Sequence, residues 1–117
     1  MHVEVRAAGD VVIVDLQGKL TAGLGDQILR ETVDELLAEG KNKILLNLSG
    51  VTFIDSAGVG ELVASLRTAK RLGAALKLLS VGEKVHASLF ISRLLPVFEI
   101  FEDEKTALTR MFGDAEA

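Results

Sequence analysis

Ile44-Leu45-Leu46-Asn47-Leu48 is the stretch that most narrows the fold, because four aliphatic side chains in five residues leave the segment no face to turn toward water. It reads as a short strand covered on both sides. Such strands belong to largely parallel sheets, whose neighbours are reached through helices lying across the sheet. The flanking sequence supplies those helices.

Upstream, Leu24, Ile28, Leu29, Val33, Leu36 and Leu37 recur at helical spacing, with Asp26, Glu31, Asp34 and Glu35 turned elsewhere and Gly40 as the stop. Downstream, Ser49-Gly50 is expected to turn the chain, and Val51 to Ile54 to stay extended. From Gly58 a second helix is expected, with Val59, Leu62, Val63, Leu66 and Ala69 inward, ending near Gly73. Before all of this, Val3 to Arg6 alternates apolar and polar residues, and Gly9-Asp10 leads into Val11 to Leu16, which together read as a hairpin.

After it come a strand over Leu76 to Val81 and a third helix from Glu83 with Val85, Leu89 and Phe90 inward, closed by Pro96. A strand over Val97 to Phe101 and a last helix capped by Asp103 complete the chain. The order β-β-α-β-α-β-α-β-α predicts a single α/β domain over residues 1–112, with a mostly parallel central sheet, an opening hairpin and about four helices. Residues 113–117 read as a short flexible tail.

Composition supports a packed domain: of 117 residues, 49% are hydrophobic and 26% charged. There is no Trp and no Tyr, and the five Phe sit mostly in apolar runs, so stacking platforms for nucleic acid are missing. The net charge of −4 opposes binding to phosphate backbones as well. From Arg67 to Arg93 six basic residues face one acid, Glu83; we read them as solvated helix and loop positions, with a dedicated patch for an acidic partner as the alternative. The absence of cysteine excludes disulfides, thiolate zinc sites and thiol nucleophiles. The first residues lack the basic and apolar segments of a signal peptide, and no apolar run approaches a bilayer span, so a cytoplasmic protein without membrane insertion is expected.

Several chemistries fail on spacing. Gly18-Lys19-Leu20-Thr21 follows a strand as a P-loop would, but Ile13 stands where the first glycine belongs and Leu20 where the hydroxyl after lysine belongs. Gly58-Val59-Gly60 would need a third glycine or alanine at Val63 to bind a dinucleotide. His2 and His86 have no ligand partners at metal spacing, and no motif ties either to Ser56 as a catalytic base. We therefore expect no metal site, no cofactor and no enzymatic activity; a small hydrolase using Ser56 is the competing class.

What remains is Phe53-Ile54-Asp55-Ser56-Ala57-Gly58-Val59-Gly60, where an apolar run ends in a small, glycine-punctuated corner and a helix begins. A helix start presents unpaired N–H groups and about half a positive charge, so a phosphate on Ser56 would be locally stabilised. Helix capping by Asp55 or Ser56 explains the same residues without any function.

Taken with the preceding strand, the block Ile44 to Gly60 resembles the STAS-domain family, specifically the small bacterial anti-sigma factor antagonists, and the similarity covers almost the whole chain. The matching pattern is a hydrophobic strand, Ser49-Gly50, and the Asp55-Ser56-x-Gly58-x-Gly60 signature. The resemblance implies a STAS fold, Ser56 as phosphoacceptor and Asp55 as the residue that positions it. It implies an anti-sigma factor serine kinase as partner, carrying the ATP itself, and a phosphatase that reverses the modification; it implies no oligomeric state. Ala57 stands where many relatives carry Ser or Thr, and Thr21 where many carry Asp. The expected partner surface is Thr21 with Asp55, Ser56, Ala57, Gly58 and Gly60, extended along the second helix by Glu61 and Ser65. A non-enzymatic STAS subunit of a transporter or larger signalling assembly is the alternative.

Overall fold

The computed structural model describes residues 1–116, with side chains through residue 112. Five strands form one sheet in the order β1 (His2–Ala8), β2 (Val11–Leu20), β3 (Lys43–Ile54), β4 (Ala75–Leu79) and β5 (Ile100–Phe101). β1 and β2 are the antiparallel hairpin; every later pairing is parallel. The order never reverses. Right-handed crossovers between strands added in one direction all fall on one face, and α1 (Gly25–Ala38), α2 (Ser56–Arg71) and α3 (Glu83–Ile91) lie there together. α4 (Glu104–Glu116) follows the last strand and covers the other face.

The period-two alternation of the strands sorts the two cores. Val12, Val14 and Leu16 of β2, with Ile44, Leu46 and Leu48 of β3, pack under the three-helix face. Val11, Ile13 and Leu45 point the opposite way, against Ala107 and Met111 of α4. β3 is thus covered on both sides, as its aliphatic run requires.

Several elements differ from the sequence expectation. Ser49-Gly50 does not turn the chain: β3 runs unbroken for 12 residues, and the irregularity appears as register shifts opposite Asp15/Gln17 and Gly18/Lys19 of β2. Gly50 is needed there for close approach, since a Cβ would lie 2.8 Å from the Leu16 carbonyl oxygen. The expected strand over 97–101 shrinks to Ile100–Phe101, because Pro96 lies within a 3₁₀ turn over Leu95–Val97. Phe90 and Leu24, both expected inward, are 67% and 65% exposed. Leu24 precedes α1 rather than lying on its stripe, and Phe90 sits about 100° around the helix from buried Leu89. α2 begins at Ser56, two residues before the expected start. The stretch 113–117, read as a tail, begins within α4 by its backbone, and Ala117 lies outside the described residues.

Candidate functional site

β2 and β3 are parallel neighbours, so their carboxyl ends bring Leu20 and Ile54 side by side and place the Thr21 loop beside the start of α2. Asp55 then caps α2 from extended backbone: its Oδ1 accepts from the Gly58 N–H at 2.9 Å. Its Oδ2 accepts from the Ala22 N–H, also at 2.9 Å, and so fastens the preceding loop to the helix start. Those bonds, Ala22 first and Gly58 second, hold the Asp55 carboxyl below its ordinary pKa. An ionised carboxylate with both oxygens engaged is a poor proton acceptor for a neighbouring hydroxyl.

Ser56 is the first residue of α2 and is exposed. It borders a shallow cleft of about 210 Å³ shared with Ile54, Asp55, Val59, Ser88, Ile91 and Ser92. Neither histidine lines that cleft: His2 contacts Glu4 on β1 at 3.2 Å, and His86 is an exposed residue of α3. The hydroxyl stands where an external reagent can reach it, and no His of the chain lines the cleft beside it. α3 forms the far wall, which the sequence reading missed. Ser88 and Ser92 are one helical turn apart with Ile91 between them, a spacing visible in the sequence once α3 is placed beside α2.

The other expected contact residues divide by burial. Thr21 and Ala57 are half-buried and Gly60 is exposed, with open space where a Cβ would stand. Gly58 is buried and serves packing: a Cβ there would lie 2.1 Å from the Leu20 carbonyl oxygen and 2.8 Å from Ile54 Cγ1. Glu61 is not a free surface acid, since Arg30 of α1 donates to its Oε1 at 2.9 Å and the side chain is largely covered. Ser65 is 3% exposed and therefore not on the outer face of α2. It sits three residues from Leu62 and four from Ala69, within the buried stripe, and its Oγ has no hydrogen-bond partner among the described residues.

The sequence profile of the STAS domain matches residues 2–107. The chain belongs to the STAS-domain family. It is 25% identical over 111 residues to the anti-sigma F factor antagonist of Paenibacillus polymyxa, covering 95% of each chain. A solved Thermotoga maritima protein, provisionally named an anti-sigma factor antagonist, superposes with a TM-score of 0.85 at 30% identity over 93% of both chains. The Bacillus cell fate determinant SpoIIAA, solved in its phosphorylated form, shares the fold at a TM-score of 0.72 and 21% identity, covering 93% of this chain and 98% of that one. This STAS domain thus falls among anti-sigma factor antagonists. Among its described residues, no helix is long and apolar enough to cross a membrane.

Proposed function

We propose that this STAS domain is an anti-sigma factor antagonist: with Ser56 unmodified it binds an anti-sigma factor serine kinase, which frees a sigma factor, and phosphorylation of Ser56 ends the complex. ATP belongs to the kinase, and a separate phosphatase restores the hydroxyl. The observation that carries this reading is the exposed Ser56 hydroxyl at the first turn of α2, beside an ionised carboxylate whose bonds do not involve it. The docking face is Thr21, Asp55, Ser56, Ala57 and Gly60; Gly58, Glu61 and Ser65 support it from within.

A phosphate adds about 1.5 to 2 negative charges. The N-terminus of α2 tolerates that charge, while a partner packed over the Asp55-Ser56 corner meets two adjacent anions. Each 1.4 kcal/mol lost is about a tenfold loss in affinity, so repulsion suffices without refolding. The family relation and the existence of a phosphorylated SpoIIAA structure support this mode.

The test is to incubate the protein with the captured kinase and ATP, then locate any added phosphoryl group by intact and peptide mass. Ser56→Ala is expected to bind the kinase and accept no phosphate. Ser56→Asp is expected to bind about tenfold or more weakly. Equal affinity of the two variants, or phosphate elsewhere, rejects the reading.

A further inference from the structure

Three helices of this domain end with the same pair of hydrogen bonds. At the end of α1, Gly40 N–H reaches Leu37 O and Lys41 N–H reaches Leu36 O, each at 3.0 Å. At the end of α2, Gly73 N–H reaches Lys70 O at 3.1 Å and Ala74 N–H reaches Ala69 O at 2.8 Å. At the end of α3, Arg93 N–H reaches Phe90 O at 3.0 Å and Leu94 N–H reaches Leu89 O at 2.8 Å. This stop requires a left-handed residue after the helix cap. The first two use glycine, at φ 82° and 77°; the third puts an arginine at φ 61°. A β-carbon is unfavourable there. Arg93 makes no ion pair with any described residue that would offset the strain.

The arginine instead lines a groove of about 500 Å³ with Phe90, Ile91, Leu95 and Pro96. Ile91 and Phe90, 79% and 67% exposed, are among the most exposed large apolar side chains described. Ile91 also lines the Ser56 cleft, so groove and cleft share a wall residue.

We propose that the groove between the end of α3 and the 3₁₀ turn docks a protein segment presenting an apolar side chain next to a carboxylate, with Arg93 as its ion-pair anchor. A guanidinium with no ion pair among the described residues, beside an apolar floor, selects an acidic-apolar segment over a wholly apolar or basic one. A second copy of this chain fits poorly, since a two-fold contact over the groove would oppose Arg93 to its own equivalent. Assigning the segment to the partner that reaches Ser56 rests on the function proposed above; the groove's chemistry does not.

The experiment follows backbone amide shifts of the full chain, labelled with ¹⁵N, during titration with a short Leu-Phe-Asp-Glu peptide, its Asn-Gln counterpart, and decanoate. The acidic peptide is expected to shift amides of residues 89–96 and to bind roughly fivefold better than the amide peptide. Arg93→Gly is expected to lose that preference while its Tm stays level or rises, which a purely structural arginine would not show. Absence of shifts, equal binding by both peptides, or an unchanged preference in Arg93→Gly overturns the proposal. Tighter binding of decanoate overturns it in favour of a small amphiphile, and a dimer abolished by Ile91→Asp overturns it in favour of self-association. If no kinase transfers phosphate to Ser56, the proposed function falls while the peptide result still decides the groove.

Discussion

The Asp55 carboxylate accepts the Ala22 N–H at 2.9 Å across 33 residues of sequence, joining the loop after β2 to the first turn of α2. One side chain therefore sets both the start of the helix that carries Ser56 and the position of the loop beside it.

Replacing Asp55 by Asn should separate those two duties. The amide retains one accepting oxygen but offers N–H donors where Ala22 also donates, so at most one of the bonds survives. Amide exchange at Ala22, at Gly58 or at both should accelerate, with little change at Leu46 in the core. The acid profile should change too. Because the folded pKa of Asp55 is depressed, its contribution is complete above the unfolded value near pH 4 and is lost as pH falls through the folded value. The Asn variant should lack that component of acid destabilisation. Unchanged exchange at both amides would refute the clamp.

Gly58→Ala should be the most damaging single methyl at the site. The new Cβ meets a backbone carbonyl at 2.1 Å, which rotamer changes cannot relieve, so α2 must move off the end of β2. We expect a loss of about 2–3 kcal/mol by denaturant titration, the usual scale for overpacking a closed contact. Gly60→Ala meets nothing within 4 Å and should cost no stability, which makes it the matched control.

These glycines show what the sequence discloses and what it hides. Continuous aliphatic character placed β3 in the interior, and helical spacing placed Leu62, Leu66 and Ala69 in the core, because both patterns follow from local geometry. The same spacing puts Ser65, three residues from Leu62 and four from Ala69, on the buried stripe rather than on the expected partner surface, against what its polar side chain suggests. The Asp55–Ala22 bond and the α3 wall depend on which strand ends become neighbours, and no short-range pattern encodes that. Gly58 and Gly60 look alike in the signature, yet Gly58 packs against Leu20 and Ile54 while Gly60 meets nothing within 4 Å.

Ser65→Ala follows from that correction. The buried hydroxyl has no partner among the described residues, so removing it relieves desolvation, and alanine also has the higher helix propensity. We expect a gain of about 1 kcal/mol and a Tm several degrees higher. Partner affinity should be unchanged. A loss of stability would mean that Ser65 has a partner in solution.

On the opposite face, Arg6 tests how α4 is held. Its guanidinium donates to both oxygens of Asp15, at 2.6 and 3.1 Å, and reaches Glu104 at 2.6 Å, so one side chain links the hairpin to the first turn of α4. Asn47 donates to Asp15 from β3 at 2.7 Å, completing the network. Arg6 depresses the Asp15 pKa, so this stabilisation is present above about pH 4 and is lost as pH falls through the lower folded value. Arg6 is 44% exposed, and solvent screening keeps the expected cost of Arg6→Gln near 1 kcal/mol at neutral pH. The difference between the proteins should narrow in acid, as Asp15 becomes protonated in both. Amides of α4 around Ala107 should exchange faster in the variant, while those of α2 should not, because among the described residues the network joins the hairpin, Asn47 and Ser49 of β3, and Glu104, and no residue of α2. A stability difference that widens below pH 4 would show that the ion pairs are not what Arg6 contributes.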